Sequence, residues 1–125
     1  MRSPVVARPV LMLLRLTGVL ALLLGAVVWL GAASSLVSLH MAVGIVFVIC
    51  LWILAILGLI RGGQMAASLA AALMGFVVLG VGLGQASWLP GPNHWLVQVV
   101  HLVVGVAAIG VGEMVGAARR ARALA

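Results

Sequence analysis

The sequence predicts an all-α integral membrane protein whose 125 residues form a single four-helix bundle. Hydrophobic residues make up 66% of the chain and charged residues only 6%, a balance that soluble domains do not have. Four apolar stretches are each long enough to cross a bilayer as a helix of about 20 residues. The connections are short, so we expect two antiparallel helix hairpins.

The four predicted spans cover residues 10–30, 35–60, 65–85 and 94–117. Pro9 suits the first turn of the first span, and breaks follow at residues 31–35, 61–64 and 86–93. Residues 1–33 also resemble a signal peptide, with a basic start and small residues at the end. Their apolar run of about 20 residues exceeds the usual signal, so we expect it to remain as a span.

The distribution of charge predicts the orientation. The chain has no lysine, a net charge of +6 and arginines at the segment ends: Arg2, Arg8, Arg15, Arg61, Arg119, Arg120 and Arg122. They form no basic face of the kind that binds nucleic acid. The positive-inside rule places both termini and the Arg61 loop in the cytoplasm, and we expect a location in a bacterial inner membrane. Trp29, Trp88 and Trp95 would then form an outer aromatic belt.

Cys50 is the single cysteine. It therefore forms no intrachain disulfide and no cysteine metal cluster. Its position in the middle of a span predicts a small apolar packing residue.

Two histidines lie inside the predicted spans at matched depth. His40 is about 5 residues below the outer end of the second span and His101 about 7 below that of the fourth, or roughly 8 and 10 Å. Each is followed four residues later by glycine, Gly44 and Gly105. Ionisable side chains at membrane depth are costly and usually functional.

Glycines on the other two spans lie in the same layer. Gly25 and Gly80 are each about 5 residues below the outer end of their span. Small residues let helices approach closely or leave room for a flat ligand. Facing imidazoles beside glycine gaps are what a bis-histidine heme requires. We therefore predict one heme per chain, with His40 and His101 as iron ligands and Gly25, Gly44, Gly80 and Gly105 around the porphyrin; the family resemblance described below implies that it is heme b.

Other functions remain open for these histidines. Membrane proteins also use histidine for hydrogen bonds between helices, and quinone binding, proton transfer or another metal would use the same residues. His94, beside Asn93 and Trp95, is expected to be an interfacial residue rather than a ligand.

The chain also resembles one four-helix half of the heme A synthase family. The resemblance is carried by Leu36-Val-Ser-Leu-His40-Met-Ala-Val-Gly44, by Gly80-Val-Gly-Leu-Gly84 with its Trp-Leu-Pro loop, and by His101-Leu-Val-Val-Gly105. It covers nearly the whole chain, and it implies a bis-histidine heme pocket near the outer face.

This chain departs from that family in its outer loops, which contain no Asp, Glu or Cys. The family's catalytic half carries a carboxylate there, so the departure argues against heme oxidation. Bis-histidine iron has no open position, and we expect electron transfer or heme holding rather than catalysis. The expected partners are the lipid bilayer and a quinol or outer-face redox protein, and glycine stripes such as Gly18/Ala21/Gly25 are also compatible with a homodimer.

Glu113 is the only acidic residue. It lies in the inner part of the fourth span, at a depth similar to that of Arg15 in the first. Pairing the two would lower the cost of burying either charge, and we predict this ion pair. The alternatives are a small proton-coupled transporter that uses Glu113, and a non-redox membrane subunit or assembly factor with structural histidines.

Overall fold

The computed structural model describes residues 4–61 and 64–123, which form four long helices. They are α1 (Pro4–Trp29), α2 (Val37–Ile60), α3 (Met65–Gly84) and α4 (His94–Ala123), with a short 3₁₀ turn at Ser34–Leu36 before α2. All four are long and apolar enough to cross a membrane, and no strand occurs among the described residues. Arg2 and the Gly62–Gly63 turn, both used above to predict topology, lie outside the described ranges.

The helix limits agree with the predicted spans except at the two ends of the chain. α1 begins at Pro4, so Pro9 lies inside the helix and not in its first turn. α4 continues to Ala123 through the arginine-rich segment. Hydropathy indicates only the part of a helix that lies in the apolar layer. The helix itself continues for as long as its backbone hydrogen bonds do, so α1 and α4 extend beyond the predicted spans.

The end of α1 is set by Gly31. Its φ of 72° is left-handed, and its N–H donates to the Val28 carbonyl at 3.0 Å while the N–H of Ala32 donates to the Val27 carbonyl at 3.2 Å. This is the Schellman pattern, in which glycine is preferred because it has no Cβ. It turns the chain sharply into the 3₁₀ segment and α2.

Each helix packs against its neighbour in sequence, and α1 also packs against α4. α2 and α4 meet across one diagonal of the bundle, whereas α1 and α3 make no direct contact in the described ranges. The two histidine-bearing helices are therefore the pair that faces across the interior.

The core consists of interlocking apolar side chains between the histidines and the arginine-rich ends. Its fully buried members include Leu14 from α1, Leu51 and Leu54 from α2, and Val115 from α4. Cys50 is buried among them and forms no disulfide, which confirms its predicted packing role.

Glycines let these helices approach closely. A Cβ at Gly112 would meet Leu14, and one at Gly116 would meet Leu11, so the last turns of α4 receive side chains from α1. A Cβ at Gly75 would collide with the Trp52 indole, whose Nε1 donates to the Ala72 carbonyl at 3.1 Å. Glycine positions at 18, 25 and 112 thus serve packing within one chain, and a homodimer would need another face.

The closest of these approaches joins α2 and α3. The Ser68 hydroxyl is fully buried, has no hydrogen-bond partner among the described residues, and occupies the space that a Cβ at Gly58 would need. A larger residue at 58 therefore has nowhere to go unless Ser68 changes too.

We expect Gly58→Ala to lower the free energy of unfolding by about 1–3 kcal/mol, the usual cost of overpacking. Ser68→Ala removes the colliding oxygen and leaves a Cβ 3.2 Å away, so the double variant should regain most of the loss. Thermal unfolding in mild detergent measures both. Gly110→Ala is the control, since nothing lies within 4 Å of a Cβ there; equal melting temperatures for all variants would contradict this account of the hairpin.

Candidate functional site

His40 and His101 meet across the α2–α4 diagonal, with the edge of one ring towards the other. Their ring centroids are 6.0 Å apart, and the ring planes make an angle of 76°. The two residues are far apart in sequence and on helices that are not consecutive. Their meeting is therefore a property of the bundle and not of local structure.

His40 is held in place by α1. Its Nδ1 lies 3.0 Å from the Ala21 carbonyl oxygen, and because a carbonyl only accepts hydrogen bonds, Nδ1 carries the proton. The lone pair of the neutral ring is therefore on Nε2. The bond fixes both the tautomer and the rotation of the imidazole.

Gly25 leaves the space on α1 that the His40 ring needs to form this hydrogen bond. It lies one turn after Ala21 on the same face of α1, and a Cβ there would be 3.1 Å from His40 Cε1 and 3.5 Å from Nδ1. Any side chain at 25 would press on the ring that reaches for the Ala21 carbonyl. The imidazole of His40 on α2 thus packs into the space left by the missing side chain of Gly25 on α1.

His101 repeats the arrangement in the second hairpin, with one difference. A Cβ at Gly82 of α3 would lie 3.3 Å from His101 Cε1, so this glycine accommodates the ring as Gly25 does for His40. However, His101 Nδ1 is buried and has no hydrogen-bond partner among the described residues. We call His40, His101, Gly25 and Gly82 the histidine layer.

The other glycines predicted for the site lie outside this contact. Gly44 and Gly105 are half-buried, Gly80 is exposed, and a Cβ at any of the three would meet nothing within 4 Å. Gly82 was missed by the sequence analysis. Gly80, Gly82 and Gly84 alternate along α3, and depth alone does not tell which of them faces the neighbouring helix.

His94 is separate from the histidine layer. Its Nδ1 lies 3.2 Å from the Trp88 carbonyl, across the connection between α3 and α4. Trp29, Trp88 and Trp95 are all exposed at the same end of the bundle, as residues of an interfacial belt would be. This placement agrees with an interfacial role for His94.

The predicted ion pair is confirmed. Arg15 Nε donates to one oxygen of Glu113 at 2.5 Å, and Arg15 Nη2 donates to the other at 2.8 Å. The two side chains are 42% and 34% exposed, so the pair lies at the edge of the α1–α4 interface. A two-pronged pair is the strongest geometry available to these groups.

Two cavities lie beside helices α2, α3 and α4. One of about 200 Å³ is lined by Val81, Trp88, Leu89, Leu96, Val97 and Val100. The other, of about 260 Å³, is lined by Trp52, Ala55, Ile56, Leu59, Ala72 and Phe76. All the lining residues are apolar, and neither histidine of the layer is among them.

No group of three or more His, Cys, Asp or Glu side chains that could hold a metal ion occurs in the described ranges. The histidine layer offers two imidazoles, which suits a metal that brings its other ligands with it. Comparison of the chain with known families, curated proteins and solved structures gives no match.

Breaking the ion pair should destabilise the bundle. Glu113→Gln or Arg15→Gln removes the two-pronged contact between α1 and α4 and should lower the melting temperature, by less than loss of a fully buried pair would because both side chains are partly exposed. The double variant should recover part of the loss. A double-mutant cycle by thermal unfolding in detergent measures the coupling between the two residues. Zero coupling would contradict the structural pair and favour a transport role for Glu113.

Proposed function

We propose that this chain is a small b-type cytochrome of the membrane, in which His40 and His101 hold one heme b for electron transfer or heme storage. The observation that carries the proposal is the meeting of these two imidazoles across the bundle diagonal at 6.0 Å.

The spacing of the rings suits a shared metal ion. Nitrogen–metal bonds are about 2 Å long, so two opposed imidazoles with one metal between them have centroids roughly 6 Å apart. A centroid separation of 6.0 Å is compatible with a metal held between the rings, and it also lies in the range of ordinary edge-to-face ring packing. The spacing therefore permits ligation, and the surroundings of the rings argue for it.

The surroundings of the rings also support ligation. Histidine ligands usually donate their second ring nitrogen to a carbonyl, which orients the ring and strengthens the ligand; the bond from His40 to Ala21 has this form. His101 has a buried Nδ1 without a partner. Such an atom is costly, and its cost falls if the ring contacts a ligand or water.

The glycines provide space for such a ligand. Gly25 and Gly82 flank the rings, while Gly44 and Gly105, one turn further along α2 and α4, face open space. These gaps are consistent with a porphyrin entering edgewise. Both cavities described above lie elsewhere, so the porphyrin would be accommodated by these gaps and not by either cavity.

When bound, heme b supplies one-electron exchange at its iron. The protein residues would then have three tasks: His40 and His101 would hold the iron, the Ala21 carbonyl would keep the His40 ring in place, and the apolar core would exclude water. Two histidine ligands would favour electron transfer over oxygen chemistry. The resemblance to half of a heme A synthase is consistent with this, and the absence of carboxylates from the outer loops argues against oxidation of the heme itself.

The partners follow from the topology that the arginines predict. With both termini in the cytoplasm, the histidine layer lies in the outer half of a bacterial inner membrane. A quinol or an outer-face redox protein is the partner class that fits this depth.

The alternative is a non-redox membrane subunit in which the histidines are structural. The hydrogen bond to Ala21 favours it, because that bond alone gives His40 a packing role. A proton-coupled transporter is less well supported, since both Glu113 oxygens are bonded to Arg15.

Heme binding is tested on protein purified in mild detergent and titrated with hemin. We expect a Soret band, a sharp α band on reduction, and extraction of heme b. His40→Ala and His101→Ala should each lower hemin affinity at least about tenfold, while His94→Ala should leave most of it. Protein that stays colourless after hemin addition would remove the proposal.

A matched pair of glycine variants separates the site from general packing. Gly82→Leu would press on the His101 ring and should reduce hemin uptake, at an overpacking cost of about 1–3 kcal/mol. Gly80→Leu, two residues away on the exposed side, should have no effect. Equal uptake by both variants would show that α3 takes no part in the site.

The orientation is tested by cysteine labelling in a Cys50→Ala background. Cysteines at Ser34 or Ser87 should react with a membrane-impermeant thiol reagent added outside intact cells, whereas a cysteine at Gly63 should react only after lysis, because the arginines keep that loop inside. The opposite pattern would place the histidine layer on the cytoplasmic side.

A further inference from the structure

We propose that the arginine-rich end of the α1–α4 interface binds an anionic phospholipid, whose phosphate lies between Arg8 of α1 and Arg120 of α4. This site is at the opposite end of the bundle from the histidine layer, and it does not depend on the proposed heme function. The register of the two helices, the balance of charge and the exposed face of α1 support it.

The register of α1 against α4 places residues 8 and 120 at the same level. Arg15 and Glu113 pair across the edge of this interface. Arg8 lies seven residues before Arg15, and Arg120 lies seven residues after Glu113. Seven residues are two helical turns, or roughly 10 Å, and bring the chain back to the same helix face. Because both helices are continuous over these positions, residue 8 lies opposite residue 120 as residue 15 lies opposite residue 113.

The two helices are still in close contact near this level. A Cβ at Gly116 would lie 2.7 Å from a methyl carbon of Leu11. Leu11 is about one turn from Arg8, and Gly116 is about one turn from Arg120. The gap between the helices at residues 8 and 120 is therefore an extension of a packed interface.

Opposite charges meet at the first level, whereas like charges meet at the second. The chain has seven arginines and one acidic side chain, so Glu113 cannot neutralise the cluster that Arg8, Arg119, Arg120 and Arg122 bring to this end of the bundle. Arg8 is exposed. Facing arginines repel each other unless an anion lies between them, and the guanidinium group has the geometry to bind phosphate oxygens in pairs.

The depth of the site identifies this anion as a lipid headgroup. The apolar segments of α1 and α4 cover Val6–Trp29 and His94–Ala118. Arg8 and Arg120 are each two residues from the arginine-rich limit of their segment, at the boundary of the hydrocarbon layer. The phosphates of a leaflet lie at this boundary, and arginines placed there attract anionic lipids.

The exposed face of α1 provides a surface for the rest of the lipid. Met12, Leu16, Val19 and Leu23 follow Arg8 at intervals of three or four residues, which places them on one face, and they are 56–64% exposed. From residue 12 to residue 23 this strip is roughly 17 Å long, close to the depth of one leaflet at about 15 Å. A phospholipid with its phosphate at Arg8 can therefore lay an acyl chain along α1.

The test uses full-length protein in mild detergent, titrated with phosphatidylglycerol, phosphatidylcholine or inorganic phosphate, with bound lipid counted by native mass spectrometry. We expect tighter binding and a higher melting temperature with phosphatidylglycerol than with phosphatidylcholine, and a smaller difference at high salt. Arg8→Gln should weaken phosphatidylglycerol binding about fivefold, the usual contribution of one arginine near anionic lipid. Equal binding of the two lipids, or stabilisation by inorganic phosphate to the same extent, would overturn the proposal.

Charge reversal separates this site from general attraction to anionic lipid. Arg120→Glu places a carboxylate opposite Arg8 and should create a second pair like that of Arg15 and Glu113. The variant should therefore keep its melting temperature in phosphatidylcholine and lose its preference for phosphatidylglycerol. Arg61→Glu makes the same change of charge in the α2–α3 connection and should retain most of that preference. Equal losses in the two variants, or full binding by Arg120→Glu, would contradict a site at the α1–α4 interface.

Discussion

Close approach of helix backbones at glycine is the constraint on which this bundle depends. Lipid tails are as apolar as leucine, so burial of apolar side chains gives little drive for helices to associate in a bilayer, and packing must supply it. Where α2 meets α3, the Ser68 side chain fills the space above Gly58. Where α4 meets α1, Leu14 and Leu11 fill the spaces above Gly112 and Gly116.

Packing of a side chain against a glycine on the neighbouring helix also forms the histidine layer, once in each hairpin. In each hairpin the first helix provides a glycine and the second provides a histidine that packs on it: Gly25 with His40, and Gly82 with His101. The two histidines thus make equivalent contacts in the two hairpins, with Gly25 and Gly82 rather than with the glycines that follow them in sequence. Because α2 and α4 face across the diagonal, the repetition brings the two rings together.

The sequence predicted the fold well because hydropathy and charge are properties of whole segments. Four spans, their order and the Arg15–Glu113 pair followed from length, depth and the scarcity of charge. The choice between Gly80 and Gly82 did not follow, since it depends on the rotation of α3 about its axis, and the weak polarity contrast around an apolar helix does not fix that rotation. The hydrogen bond from His40 to the Ala21 carbonyl could not be predicted either, because every residue has a backbone carbonyl and the sequence does not indicate which one will accept.

α4 carries both His101 and Glu113, and their separation bears on what the chain can do. His101 and Glu113 are 12 residues apart, or roughly 18 Å along the helix. Between their depths lie Ala108 and Leu51, both fully buried in the apolar core. The buried polar side chain in this region is Thr17, whose hydroxyl is bonded to carbonyls of its own helix, so the described residues form no continuous polar path for a proton between His101 and Glu113. We therefore regard the ion pair as a means of fixing the register of α1 against α4, and the histidines as a separate site whose chemistry does not draw on Glu113.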